Sequence, residues 1–142
     1  MHEMGYVHND LKLDNILTGN KDPHNIYLID FGLTCKYLEP DGTHVEKTYL
    51  QKFSGNFIFA SLNSCRGYNK SRRDDVQGLV YILIFLLNGG YLPWSEFHKK
   101  FKNEKYQFKD FLRERIDIKY MREFFKLVPQ NIREIIKRVL TM

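Results

Sequence analysis

"VHNDLKLDNIL", residues 7–17, sets one histidine, two aspartates, one lysine and two asparagines between apolar flanks. Asp and Asn side chains compete for backbone hydrogen bonds and favour turns over regular structure. The stretch therefore reads as a polar loop held between two buried segments. Working outward, "NILT" (15–18), the polar "GNKDPHN" (19–25) and "IYLID" (26–30) read as two short strands around a turn. The second strand runs straight into Asp30-Phe31-Gly32. The hairpin would bring that triplet back to the loop.

The bulk properties exclude several classes. The 142 residues are 43% apolar and 27% charged with four prolines, an ordinary globular composition rather than a disordered or fibrous one. The longest apolar run, "LVYILIFLL" (79–87), is half of what a membrane helix needs, so no membrane partner is expected. No signal peptide precedes the loop. Cys35 and Cys65 stand apart, and the five histidines are scattered without metal-ligand spacing. A reducing, intracellular setting, cytoplasmic or nuclear, follows as the expectation. Residues 99–142 carry 13 Lys/Arg against 6 Asp/Glu, whereas residues 1–98 carry 9 against 11. A basic tail of this kind reads first as solvated amphipathic helices, and a nucleic-acid partner is disfavoured.

Residues 33–60 have no sustained periodicity and contain Pro40, Asp41-Gly42 and Gly55, the pattern of a long functional loop. "SRRDDVQGLVYILIFLLNGG" predicts a helix over about 74–88, with Asp74 as N-cap, Gln77 at capping-box spacing and Gly89-Gly90 as the stop. Being apolar on every side, it is expected in the middle of a core. Amphipathic helices are predicted over about 105–142: "FKDFLRERI", "YMREFFKL" and, after Pro129, "NIREIIKRVL". The fold class is thus mainly α with a short β-hairpin.

The order H-x-D-L-K-x-x-N, a hairpin-sized gap and D-F-G resemble the catalytic loop (7–17) and Asp-Phe-Gly motif (30–32) of eukaryotic protein kinases. "SGNFIFASLNS" and "SRRDD…LPW" are similar to the casein kinase 1 family, in which an Ala-Ser-Ile-Asn stretch replaces the usual Ala-Pro-Glu; "ASLN" (60–63) matches it. The resemblance covers residues 1 to about 98 and implies the large C-terminal lobe of a Ser/Thr protein kinase, with an activation segment over 30–63. It implies ATP and Mg²⁺ as cofactors and a protein as substrate. Asp10 is then the catalytic aspartate that accepts the hydroxyl proton, and Lys12 the lysine facing the transferred phosphate. Asn15 and Asp30 are the magnesium ligands and, with Lys12, the contacts to the ATP phosphates. His8, Phe31, Gly32 and the helix aspartate Asp75 support the site. These residue types suit the chemistry: phosphoryl transfer asks mainly for positioning and charge neutralisation, and magnesium takes hard oxygen ligands.

Four positions depart from the family pattern. Asn9 replaces an arginine that usually anchors an activation-loop phosphate, so activity is expected not to depend on phosphorylation of Thr43, Thr48, Tyr49 or Ser54. Leu13 replaces a proline. Asn56 replaces a threonine that bridges the catalytic aspartate and lysine, a place where an amide is also able to bond. Ile58 replaces an arginine used for acidic substrates, and that preference is not carried over. No glycine-rich loop or ATP-binding strand lysine is present in the sequence, and Met1 falls where the family is finishing the helix before the catalytic loop. The expectation is a truncated catalytic domain with an internal Met1 and little catalysis by the isolated chain. A non-catalytic pseudokinase or scaffold lobe is the alternative.

Overall fold

The computed structural model describes residues 1–50, 53–95 and 128–141, together with Leu112, Arg115, Phe125 and Lys126. The expected hairpin is present. Strands β2 (Ile16–Thr18) and β3 (Ile26–Leu28) pair antiparallel in the register Ile16↔Leu28, Leu17↔Tyr27 and Thr18↔Ile26. Its turn closes through Gly19 N–H donating to Asn25 O at 2.8 Å, while Asp22 Oδ1 accepts from His24 N, an Asx-type bond. A second antiparallel pair was not foreseen. It joins β1 (Tyr6–Val7) to β4 (Cys35–Lys36), so the chain enters the polar loop and leaves the Asp-Phe-Gly region side by side. Two-residue strands carry no alternation to read, and only the tertiary fold brings them together.

The helices are α1 (Leu62–Cys65), α2 (Arg72–Leu87) and α3 (Gln130–Leu140). Helix α2 starts two residues earlier than expected, and Asp74 is not its N-cap. Ser71 is the N-cap; Asp74, at the third helical position, reaches back to accept the Ser71 N–H at 2.7 Å. This is the acidic half of a capping box one turn upstream of the predicted one. The other Asp74 oxygen accepts from Ser61 Oγ at 2.5 Å, fastening α1 to the start of α2. Helix α3 begins directly after Pro129, as predicted, and packs on α2 with Gln77 Nε2 donating to Val139 O at 3.1 Å. The predicted helices "FKDFLRERI" and "YMREFFKL" fall almost wholly outside the described residues.

The core gathers Leu11, Phe59, Cys65, Tyr81, Ile82, Ile84, Leu92, Trp94, Val128 and Ile136. Arg115 is buried among them, its guanidinium 4.6 Å from the Trp94 ring centre and 5.0 Å from that of Tyr81, with Nη1 donating to Cys65 Sγ. Stacking on two aromatic faces is what makes a cation tolerable there. Helix α2 corrects one expectation: it is not enclosed by the described residues. Ile84 is fully buried, but Leu79, Leu83 and Leu86 are 48%, 44% and 56% exposed. Their spacing of four and three residues puts them on one stripe. No described element covers that stripe, which forms one wall of an apolar groove of about 650 Å³ with Leu11, Ile16 and Leu28 opposite. The described residues form few helices and small antiparallel sheets.

Candidate functional site

Three of the four predicted catalytic and metal residues meet in the loop between β1 and β2. Lys12 Nζ donates to Asp10 Oδ2 at 2.7 Å. Asn15, at the end of a short 3₁₀ turn (Leu13–Asn15), donates its Nδ2 to Asp10 O at 2.9 Å and to Asp10 Oδ2 at 3.3 Å. Asp10 and Asn15 are 7% and 3% exposed. At that burial the pairings hold both side chains in one geometry, because an unmet polar group there would be costly. Asp10 Oδ1 and Asn15 Oδ1 accept no hydrogen bond among the described residues, so each keeps an oxygen for an outside group.

Lys12 sits in the field of three carboxylates. The hydrogen bond Lys12 donates to Asp10 raises its pKa above 10.5, partial burial works against this, and the charges of Asp10, Asp30 and Asp14 add to the rise. Lys12 is therefore a fixed cation at neutral pH. Asp30 is exposed and makes no bond to Asp10 or Asn15; it contributes to the cluster through its charge on Lys12. Its Oδ1 accepts from Gly32 N at 3.2 Å, and a Cβ on Gly32 would lie 3.2 Å from that same oxygen. The absent side chain at Gly32 thus leaves room for the Asp30 turn. Asn9 and Asp30 are the two non-glycine residues at positive φ among those described, at 73° and 59°. Such conformations persist only where the surroundings enforce them, and they concentrate at functional sites.

Supporting contacts come from far along the chain. Asp75 on α2, 6% exposed, accepts His8 N at 2.8 Å, Asn9 N at 3.0 Å and His2 Nε2 at 2.9 Å. His8 ties the loop to β3: its Nε2 lies 3.1 Å from Ile29 O and its Nδ1 3.3 Å from Asp10 N. A carbonyl on one nitrogen and an amide on the other fix the neutral tautomer with the proton on Nε2. The Phe31 ring sits 5.5 Å from the His8 ring and is 53% exposed.

Asn56 does not bridge Asp10 and Lys12. Its Oδ1 accepts from Ile58 N at 2.8 Å and Phe59 N at 3.3 Å, an Asx turn that uses the side chain locally, while Asp10 and Lys12 pair directly. Asn9, in the arginine position, donates its amide to Leu33 O and Cys35 Sγ, both at 2.9 Å. Sequence reasoning missed His2 and Lys70. His2 bonds Asp75 on α2 across 73 residues, Lys70 bonds Asn9 O in the loop across 61, and neither lies in a recognisable motif.

The donor set suits magnesium. Asn15 Oδ1 and the Asp30 carboxylate are hard oxygen donors of the kind magnesium takes, and magnesium keeps most of its shell for water and substrate phosphates. Among the described residues no group of three or more His, Cys, Asp or Glu forms an all-protein metal cage.

The family described as protein kinase domain matches residues 1–142. A relative described as a probable casein kinase I homolog, from Encephalitozoon cuniculi (strain GB-M1), is 41% identical over 96 residues, which is 68% of this chain and 29% of that protein. The chain thus matches under a third of that relative's length.

Proposed function

We propose, for a chain that belongs to the protein kinase domain family and is casein kinase 1-like, that it carries the large-lobe part of a serine/threonine protein kinase. The reaction is transfer of the ATP γ-phosphate to a protein hydroxyl. The observation that carries the reading is the cluster of buried Asp10 and Asn15 with half-buried Lys12, in which one oxygen of Asp10 and one of Asn15 are left over. Asp10 Oδ1 orients the substrate hydroxyl and takes its proton as the oxygen bonds to phosphorus and ADP leaves. Lys12, held cationic by Asp10, neutralises charge on the phosphoryl oxygens. Asn15 and Asp30 would hold Mg²⁺, which supplies charge neutralisation on the ATP phosphates when bound. His8 and Asp75 fix the loop that aims Asp10. A scaffold would have no use for a buried carboxylate and amide paired with a lysine and keeping free oxygens.

The test is radiolabelled phosphate transfer from Mg-ATP to a serine/threonine peptide library by the protein carrying this chain. Asp10→Asn should abolish transfer and leave nucleotide affinity intact, whereas Asp30→Asn should weaken magnesium-dependent nucleotide binding. Full transfer by Asp10→Asn overturns the assignment.

A further inference from the structure

Lys70 lies just before the Ser71 cap of α2 and outside every motif. Its ammonium donates to Ser54 O at 2.6 Å and Asn9 O at 3.1 Å, with Ser54 Oγ at 3.4 Å. Two carbonyl oxygens converge on one cation. Gly55 makes that convergence possible: at φ 107°, a Cβ there would stand 2.8 Å from Asn9 O and 3.5 Å from Lys70 Nζ. Asn9 is thereby gripped on both sides of its strained backbone. Its N–H goes to Asp75 Oδ1 and its C=O to Lys70, both anchors set within the first turn of α2 or just before it. Asp10 is the next residue. Burial pulls the Lys70 pKa below 10.5; Cys35, Asp74, Asp10 and Asp75 oppose the fall.

We infer that Lys70 is a positioning residue that locks residues 53–57 of the activation segment onto the catalytic loop beside Asp10, with no phosphate required. The inference rests on the kinase reading above. The segment needs such a lock because Asn9 supplies no cation and Asn56 Oδ1 is spent on its own turn. Residues Asn56, Phe59 and Ala60 line the same small cavity as Asp10 and Lys70. Loosening the segment therefore shifts the seat of the substrate hydroxyl and leaves the nucleotide contacts of Lys12, Asn15 and Asp30 in place.

The experiment uses the protein carrying this chain after phosphatase treatment, comparing wild type, Lys70→Met and Lys70→Gln, the last filling the slot with a single uncharged donor group. Lys70→Met should lower kcat for a protein substrate at least about 10-fold, since small misplacements of reacting groups cost that much or more, with KM for ATP within about 2-fold of wild type. Amide exchange read by mass spectrometry should quicken at least about 10-fold in 53–57 and 8–11 and not in 79–87. The proposal is overturned if both loop peptides keep wild-type exchange, if 79–87 quickens equally (a loss of global stability), if KM for ATP rises with the fall in kcat, or if phosphatase alone loosens 53–57 in the wild type. Failure of the kinase reading shows separately, as absent transfer by the wild type or full transfer by Asp10→Asn. The exchange result still decides the clamp in that case.

Discussion

Replacing Asp75 by alanine removes one carboxylate that holds two consecutive amides of the polar loop at 7–17. His8 N and Asn9 N donate to it at 2.8 and 3.0 Å, in a place where His8 is 1% and Asp75 6% exposed. A methyl group at position 75 accepts nothing, so both amides lose their acceptor. Each buried donor left unmet costs about 1–3 kcal/mol, so the two together cost about 2–6 kcal/mol. That is a large part of the roughly 5–15 kcal/mol that holds a domain folded. The loss falls first on residues 6–11, because the rest of α2 keeps its Ser71–Asp74 cap and its contacts to α3. The direct readout is amide exchange at His8 and Asn9, which should accelerate by about 30-fold at the lower end of that range. Asp75→Asn keeps one acceptor oxygen and should fall between alanine and wild type. His2→Ala removes only the half-exposed partner at 2.9 Å and should change exchange at these amides far less. Exchange of His8 and Asn9 in Asp75→Ala within about 2-fold of wild type would show that the loop does not depend on the carboxylate, and the reasoning would fail.

The Lys12–Asp10 pair makes a pH prediction. A lysine whose folded pKa is raised contributes stability that is fully present below its unfolded value, near 10.4, and lost as pH climbs through the higher folded value. The stability gap between wild type and Lys12→Met should hold steady from about pH 7 to pH 10 and shrink above that; a gap that closes below pH 9 in denaturant melts contradicts the pairing. The exposed stripe on α2 makes another. Leu83→Lys with Leu86→Lys, at positions 44% and 56% exposed, should lower self-association in sedimentation velocity and dim the fluorescence of an apolar-surface dye. The same pair should leave the melting free energy within about 0.5 kcal/mol for each site, and unchanged dye binding would show that the groove is not the sticky surface.

Local chemistry was legible without coordinates. The spacing of Asp10, Lys12 and Asn15 within one loop, the two strands on either side of 19–25, the start of α3 after Pro129 and the stop of α2 at Asn88-Gly89-Gly90 all lie within a few residues of the signal that announces them. Backbone sterics and short-range hydrogen bonds settle such features, so a linear reading reaches them. The N-cap of α2 was misplaced because Ser71 and Asp74 both carry capping side chains, and the choice went to the register in which Asp74 also meets Ser61, thirteen residues upstream. Which face of α2 is exposed, that of Leu79, Leu83 and Leu86, was not legible for a related reason: apolar composition says what a helix is able to bury, and only the neighbouring elements decide which face is covered. Of the grip on Asn9, the resemblance implied Asp75, whereas Lys70 belongs wholly to the tertiary structure. Asp75 and Lys70 reach it across 66 and 61 residues, and a contact of that separation forms only when the fold has already lost the entropy of closing the loop between them. The sequence determined which groups this protein has for its chemistry; the packing of α2 against the loop decided where they point.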